Sequence, residues 1–212
     1  MVLLARNAEK LKQAKATLSV DHNQSHQFIV ADFSNPKELK SAVDSYAAEN
    51  PQINILVNNT GGPPPGQAKD AELTAFQAAF DQHLICNQIL AQVTVPAMQA
   101  DGYGRIINVI STSVKQPLPN LGVSNTIRGA VASWAKTLAN ELGQYNITVN
   151  NVLPGATETT RLSSIFENKA KKTGQPLEDV IAHEKSIIPM KRFGLPEEFA
   201  NVVGFLASPA AA

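Results

Sequence analysis

Short runs of Val, Ile and Leu alternate along this chain with longer amphipathic stretches, and this alternation limits the folds that the chain can adopt. Five of the runs are nearly continuous in hydrophobicity, as strands are when both faces of their sheet are covered. We therefore predict strands at Val2–Ala5, Gln27–Ala31, Ile53–Val57, Arg105–Ile110 and Thr148–Leu153.

The amphipathic stretches between these runs predict helices. They cover Ala8–Leu18, Pro36–Glu49, Leu73–Met98, Thr126–Leu142 and Pro196–Ala207. Strand–helix–strand alternation is typical of a parallel sheet with helices on both faces. The sequence thus predicts an α/β fold, a doubly wound parallel sheet formed by residues 1–212 as one domain.

The composition excludes several classes of function. Lys and Arg together number 18, as do Asp and Glu, so no net charge attracts nucleic acid or an anionic membrane. The single cysteine, Cys86, cannot form an internal disulfide, which fits a reducing compartment. No apolar run approaches the roughly 20 residues that span a bilayer. We therefore expect a cytoplasmic protein that binds neither nucleic acid nor a membrane.

Ligands of such sheets bind beyond the carboxyl ends of the strands, so the residues found there are informative. These residues are Arg6, Asp32, Asn58–Gly62, Ser111–Ser113 and Pro154–Thr160. In the segment Asn58–Gly62, the glycines let the backbone approach a ligand, and the asparagine side chains can bridge neighbouring strand ends. Taken alone, this segment is also compatible with a polar turn.

Five motifs at these positions resemble the short-chain dehydrogenase/reductase family, in that family's order and spacing. Asn58–Gly61 resembles its Asn-Asn-Ala-Gly motif, and Arg105–Ser111 resembles its strand that ends in the catalytic serine. Residues 31–32 resemble the acidic residue that the family places beside adenine. Residues 150–155 resemble the segment that leads into its nicotinamide-binding Pro-Gly turn, and residues 188–200 resemble its substrate-side segment. The likeness runs from residue 2 to about residue 208 and is nearest to the 3-oxoacyl-[acyl-carrier-protein] reductases.

This resemblance implies a Rossmann-like fold and a homo-oligomer. It also implies hydride transfer between NADP(H) and a small-molecule carbonyl or alcohol. The cofactor-binding residues that it implies are Arg6, Asp32, Asn58, Thr60, Gly61, Arg128, Pro154, Gly155 and Thr159.

The preference for NADP(H) can be argued from charge. An acidic residue at the end of the family's second strand repels a 2′-phosphate. Ala5 stands at that position here and is followed by Arg6, whose guanidinium can clamp a phosphate. The alternative is that Arg6 is a solvated loop residue.

The family's catalytic Asn, Ser, Tyr and Lys correspond here to His83, Ser111, Ser124 and Arg128, so only the serine is retained. A tyrosine with a pKa near 10 can be tuned toward neutrality, whereas an aliphatic hydroxyl cannot. Ser124 is therefore a poor general acid that could relay a proton or hold a water. Arg128 could bind ribose hydroxyls but does not lose a proton at working pH. Histidine at position 83 could act as an acid or a base.

Each of these residues also has a purely structural interpretation. His83 lies at helical spacing from two phenylalanines, which favours a buried core histidine. Ser111–Ser113 could be a polar turn at the end of a strand. Ser124 could cap a helix that begins at Thr126.

Two further functions stay open. Ser124 in place of Tyr, without a glycine-rich turn, is compatible with a catalytically impaired relative that binds a nucleotide or a partner. A serine hydrolase using Ser111 or Ser124 with His83 is disfavoured, because the sequence lacks a Gly-x-Ser-x-Gly elbow. The family's glycine-rich first strand–helix unit and its last strand have no counterpart here, so we expect a domain truncated at both ends and a sheet without its central strand.

Overall fold

The structure, a computed structural model, describes residues 1–211. The chain divides into two compact units, Met1–Asn151 and the residues from Val152 onward, and each is described by itself. The single domain expected from the sequence stays a prediction. Within residues 1–211, no helix combines the length and the apolar character that crossing a bilayer requires.

Within residues 1–211, five short strands form two separate sheets. They are β1 (Val2–Ala5), β2 (Gln27–Val30), β3 (Ile55–Asn58), β4 (Gly104–Val109) and β5 (Ile147–Val152). β1 pairs with β2 in parallel, and the other sheet has the order β3–β4–β5, with β3 and β4 parallel. The predicted α/β fold with parallel strands is confirmed. None of the described strands joins β1 to β3.

The helices of the first unit fill the connections between these strands. They are α1 (Ala8–Ala16), α2 (Pro36–Glu49), α3 (Leu73–Phe80), α4 (Cys86–Asp101) and α5 (Gly122–Leu142). Asn7 and Asn35 begin α1 and α2 because each side-chain oxygen accepts a hydrogen bond from a first-turn amide. Between α3 and α4 the chain continues as a π-helical turn, Asp81–Ile85.

One apolar core connects the two sheets of the first unit. Ala31 and Leu39, from the β1–β2 side, belong to the same buried cluster as Leu56 of β3 and Ile106 of β4. Cys86 and Met98 of α4 are fully buried in this cluster. Side-chain packing, rather than a backbone ladder, therefore holds the two sheets together.

The described part of the second unit contains the α-helices α6 (Thr160–Thr173), α7 (Leu177–Ser186) and α8 (Pro196–Ala207). Phe166 of α6, Val180 of α7 and Phe193 form its buried cluster. Phe166 and Phe193 lie with their ring centroids 5.3 Å apart. Arg192, which precedes α8, forms an ion pair with Glu198 in the first turn of that helix.

The structure corrects several predicted bounds. The predicted helix Leu73–Met98 is interrupted by the π-helical turn, and α5 begins at Gly122 rather than at Thr126. Helices α6 and α7 were not predicted from the sequence. Their amphipathic pattern gives the signal, because Leu162 and Phe166, like Leu177 and Ile181, lie one turn apart.

Candidate active site

A chain of asparagine side chains crosses the carboxyl end of the larger sheet. Asn58 Nδ2 donates to Asn108 Oδ1 over 2.8 Å, and Asn108 Nδ2 donates to Asn151 Oδ1 over 3.1 Å. Asn58 and Asn108 are buried. Asn58 Oδ1 is also buried and has no hydrogen-bond partner within residues 1–211, so it offers an acceptor to a water or a ligand.

Arg128 connects the segments that follow β3 and β4. Its Nη1 donates to Val109 O over 3.1 Å, and its Nη2 donates to Thr60 O over 3.0 Å. The guanidinium, on a residue that is 6% exposed, thus bridges two backbone carbonyls at the sheet edge. A planar group with several fixed donors suits this geometry better than a single ammonium does.

His83 lies in the π-helical turn and is fully buried. Its Nδ1 lies 2.6 Å from Thr60 Oγ1, which is hydrogen-bonding distance. The interpretation of His83 as a buried, hydrogen-bonded histidine is confirmed. The contact also means that Nδ1 is engaged by a threonine hydroxyl.

Ser111 lies two residues after the end of β4. It is the N-cap of a short 3₁₀ turn, Thr112–Val114. Its Oγ accepts a hydrogen bond from Ser113 N over 3.1 Å, so the turn interpretation is confirmed. Accepting this bond does not use the hydroxyl proton, so Ser111 can still donate to an oxygen outside the turn.

Ser124 lies inside α5, three residues after the N-cap, Leu121. Its interpretation as a helix cap is therefore wrong. The helix starts earlier because Asn125 holds the preceding loop, donating to Leu118 O over 2.9 Å and accepting from Leu118 N. Ser124 and Arg128 are one turn apart and share a face of α5.

The loop after β3 is fastened to the start of α5. Gly66 N donates to Asn120 O over 2.7 Å, and Gly122 N donates to Gly66 O over 2.9 Å. A Cβ on Gly122 would come within 2.3 Å of Ala68 N, so only glycine allows this approach. The segments after β3 and before α5 are therefore held next to each other, beside Ser124.

A cavity of about 480 Å³ opens at the carboxyl ends of β1 and β2. Its lining includes Arg6 and Asp32 together with Asn7, Ala31 and Glu38. Hydrogen bonds from Ser34, and to a lesser degree the charge of Arg6, lower the pKa of Asp32 below its usual value. Asp32 therefore stays an acceptor at neutral pH. A cation beside an ionised carboxylate fits the phosphate and hydroxyl groups of a nucleotide.

Three implied cofactor residues, Pro154, Gly155 and Thr159, belong to the second unit. Thr159 caps α6 by accepting from Leu162 N over 3.3 Å. It also lines a cavity of about 630 Å³ in this unit, whose wall is largely apolar and includes Leu162, Phe166 and Ile181. Neither this cavity nor the helices that line it were predicted from the sequence.

The structure thus brings Arg128, Thr60 and His83 into one hydrogen-bonded group. Ser111 lies two residues after β4, whose Val109 carbonyl is held by Arg128, and Ser124 lies one helical turn before Arg128. Neither Asn151 as a site residue nor the pairing of Thr60 with His83 was predicted from the sequence. The first was signalled by an asparagine in each of three adjacent strands, whereas the second depends on a loop conformation that has no sequence pattern.

Known proteins resemble this chain over its whole length. The family described as enoyl-(acyl carrier protein) reductase matches residues 1–212. The NADPH-dependent reductase BacG of Bacillus subtilis is 28% identical over 98% of this chain and 81% of BacG. The 7alpha-hydroxysteroid dehydrogenase of Escherichia coli is 29% identical over 85% of this chain, which spans 66% of that relative.

Solved structures agree with this assignment. YwfH, an NADPH-dependent reductase involved in bacilysin biosynthesis, has a TM-score of 0.91 at 26% identity, over 99% of this chain and 82% of YwfH. L-sorbose reductase from Gluconobacter frateurii, complexed with NADPH and L-sorbose, has a TM-score of 0.90 at 29% identity, over 99% of this chain and 80% of that one. This chain belongs to the short-chain dehydrogenase/reductase family of oxidoreductases.

Proposed function

We propose that this chain is an NADP(H)-dependent oxidoreductase that reduces a carbonyl or oxidises an alcohol on a small molecule, as 3-oxoacyl reductases do. The observation that carries the proposal is the cavity at the ends of β1 and β2, where Arg6 and Asp32 lie together. Two proteins that are similar to this chain support it. BacG is named an NADPH-dependent reductase, and the structure of L-sorbose reductase is a complex with NADPH.

Arg6 selects NADP(H) in this proposal. The side chain is exposed at the end of β1, where it can form paired hydrogen bonds with a 2′-phosphate. Ala5, the residue before it, carries no charge that would repel the phosphate. Asp32, held ionised, accepts hydrogen bonds from the adenosine part.

The remaining cofactor-binding residues are assigned to two segments of the first unit and one of the second. They are Asn58, Thr60, Gly61 and Arg128 in the first unit and Pro154, Gly155 and Thr159 in the second. Bound NADPH would supply the hydride. Arg128 keeps a permanent positive charge at the sheet edge, beside the position where a ribose would lie.

The chain's own residues must handle the proton. Ser111 orients the substrate oxygen through its hydroxyl proton. The proton reaches that oxygen through a water or through Ser124, because no phenol stands at position 124. His83 is engaged by Thr60 at Nδ1 and supports this arrangement from its buried position. Carbonyl reduction is therefore expected to be slower than in relatives that have a tyrosine there.

The test is a titration with NADPH and NADH, followed by the fluorescence of Trp134, the only tryptophan. Replacing Arg6 with Ala should weaken NADPH binding by more than tenfold, since hydrogen bonds to a charged group are worth about 1.5–3 kcal/mol. NADH binding should change little. The matched control is Lys10→Ala, which removes an exposed cation from α1 outside the cavity. Equal weakening of both cofactors would exclude Arg6 from a phosphate site, and no binding of either would contradict the proposed function.

A catalytically impaired relative that binds a nucleotide or a partner is the second candidate. Two observations favour it. Arg128 donates to two backbone carbonyls, a contact that needs no cofactor, and Ser124 stands where the family has its catalytic tyrosine. NADPH binding without turnover of any carbonyl compound would support this candidate. The cytoplasmic location and the homo-oligomer implied by the family resemblance stay predictions.

A further inference from the structure

Thr60 is held at two points by different parts of the chain. Its side-chain Oγ1 lies 2.6 Å from His83 Nδ1, and its backbone carbonyl accepts from Arg128 Nη2 over 3.0 Å. One contact fixes the rotamer of Thr60 and the other fixes the plane of its peptide group. A single residue is thereby oriented in both its side chain and its backbone.

Both groups that hold Thr60 are themselves buried. His83 is fully buried and lies in the π-helical turn between α3 and α4. Short π-helical turns inside longer helices are frequent at functional sites. Arg128 lies on α5 and is further fixed by its bond to Val109 O. Side chains supported by packed helices position a site more accurately than loop residues do.

The segment that Thr60 belongs to would otherwise be loosely held. It follows β3 directly, and two of its next residues are Gly61 and Gly62, which have the greatest backbone freedom. Asn59 and Gly61 are exposed, while Thr60 is half-buried. Ordering such a segment only when a ligand binds costs about 1–2 kcal/mol per residue, so fixing it beforehand improves affinity.

We propose that Thr60 and His83 are a pair of positioning residues that, together with Arg128, hold the segment Asn59–Gly62 in the conformation that receives the cofactor. This proposal rests on the proposed function for the identity of the ligand. Neither Thr60 nor His83 touches a reacting atom in it. The pair acts by keeping the backbone of the segment in place before NADPH arrives.

The first experiment measures hydrogen exchange of the amides of residues 59–62 in the protein without ligand. Thr60→Val keeps the shape of the side chain and removes the hydroxyl, whereas Thr60→Ser keeps the hydroxyl. We expect exchange in the segment to rise about five- to tenfold in Thr60→Val, the equivalent of one lost hydrogen bond, and to stay near the native rate in Thr60→Ser. Thr74→Val, on the exposed side of α3, is the matched control. Native-like exchange in Thr60→Val would overturn the proposal, whatever is found for NADPH.

The second experiment separates positioning from proton transfer. In Thr60→Val, KM for NADPH should rise by more than kcat falls, and the pH profile of kcat should keep its native shape. A collapse of kcat with a changed pH profile would show a proton relay through the hydroxyl and imidazole, and would overturn the positioning role. His83→Asn, whose shorter side chain should not reach Thr60, provides a double-mutant cycle. Thr60→Val should add little to His83→Asn, and fully additive effects would contradict the pairing.

Discussion

The side-chain amide of Asn58 donates to Asn108 across 2.8 Å, where the two residues stand opposite each other at the ends of β3 and β4. Asn108 is fully buried and passes a second bond on to Asn151. It therefore acts as acceptor and donor at once, a combination that no carboxylate can supply.

Asn108→Asp tests this arrangement through pH. The unfolded carboxyl ionises near pH 3.9, while burial favours its neutral form, so the folded state binds the proton more tightly. The loss of stability relative to the native protein should be small near pH 4 and grow to about 3 kcal/mol at pH 7. Urea unfolding at the two pH values measures it. Asn140→Asp, on the exposed face of α5, is the control, and an equal loss at both pH values would refute the explanation.

Gly122→Ala should loosen the loop after β3. The added Cβ would come within 2.3 Å of Ala68 N, so the loop must shift, at a cost of about 1–3 kcal/mol in the free energy of unfolding. Gly129 on the same helix has open space, and Gly129→Ala should stabilise the protein by about 0.5–1 kcal/mol. Urea unfolding compares the two variants. A stabilising Gly122→Ala would show that the contact between residues 122 and 68 is absent in solution.

Glu198 should contribute stability that is lost in acid. The bidentate hydrogen bonds from Arg192, followed by the bond from Leu195 N, lower its pKa from 4.5 to about 2. A carboxyl whose folded pKa is depressed stabilises the fold fully above its unfolded pKa and loses this effect as pH falls toward the folded value. Glu198→Gln should therefore lower Tm most above pH 5 and hardly at all near pH 2. Glu197→Gln, one residue away, is the control, and a pH-independent difference would remove the ion pair as the cause.

Restoring the family residues should increase turnover. Ser124→Tyr with Arg128→Lys supplies a tunable phenol and an ammonium one turn apart on α5. NADPH-dependent reduction of small carbonyl compounds should rise by about 10²-fold, the lower range for general acid catalysis. Arg128→Lys alone should not raise it. If the double variant gains nothing while Ser124→Ala abolishes the native activity, a different chemistry centred on Ser124 is operating.

The sequence predicted the fold well because its signals are local. β1 and the helices α2 and α8 have the predicted bounds, since Asn35 and the prolines at positions 36 and 196 mark where the two helices begin. Position 124 shows the limit of such signals. Thr126 looks like a helix start, but the helix extends back to Gly122 because Gly66 and Asn125 tie the preceding loop down.

The candidate site was predicted as a set of residues, but its contacts were not. Family spacing identified His83 and Arg128, yet spacing cannot show that both meet Thr60. That meeting depends on the π-helical turn, which rotates the residues after Phe80 relative to an uninterrupted helix. Periodicity over residues 73–98 averages across such a turn and does not reveal it.

The division of the strands into two sheets has a consequence for how the protein unfolds. A backbone ladder fixes both register and cooperativity, whereas the packing of Ala31 into the cluster of Leu56 can be lost without breaking any strand pairing among residues 1–211. Residues 2–30, with β1, α1 and β2, then form a unit that can detach before the rest of the first unit melts. A protease should cut first within this unit at denaturant concentrations where β3 and β4 are still paired, so the first unit would lose its Arg6 cavity before it loses the asparagine chain across its larger sheet.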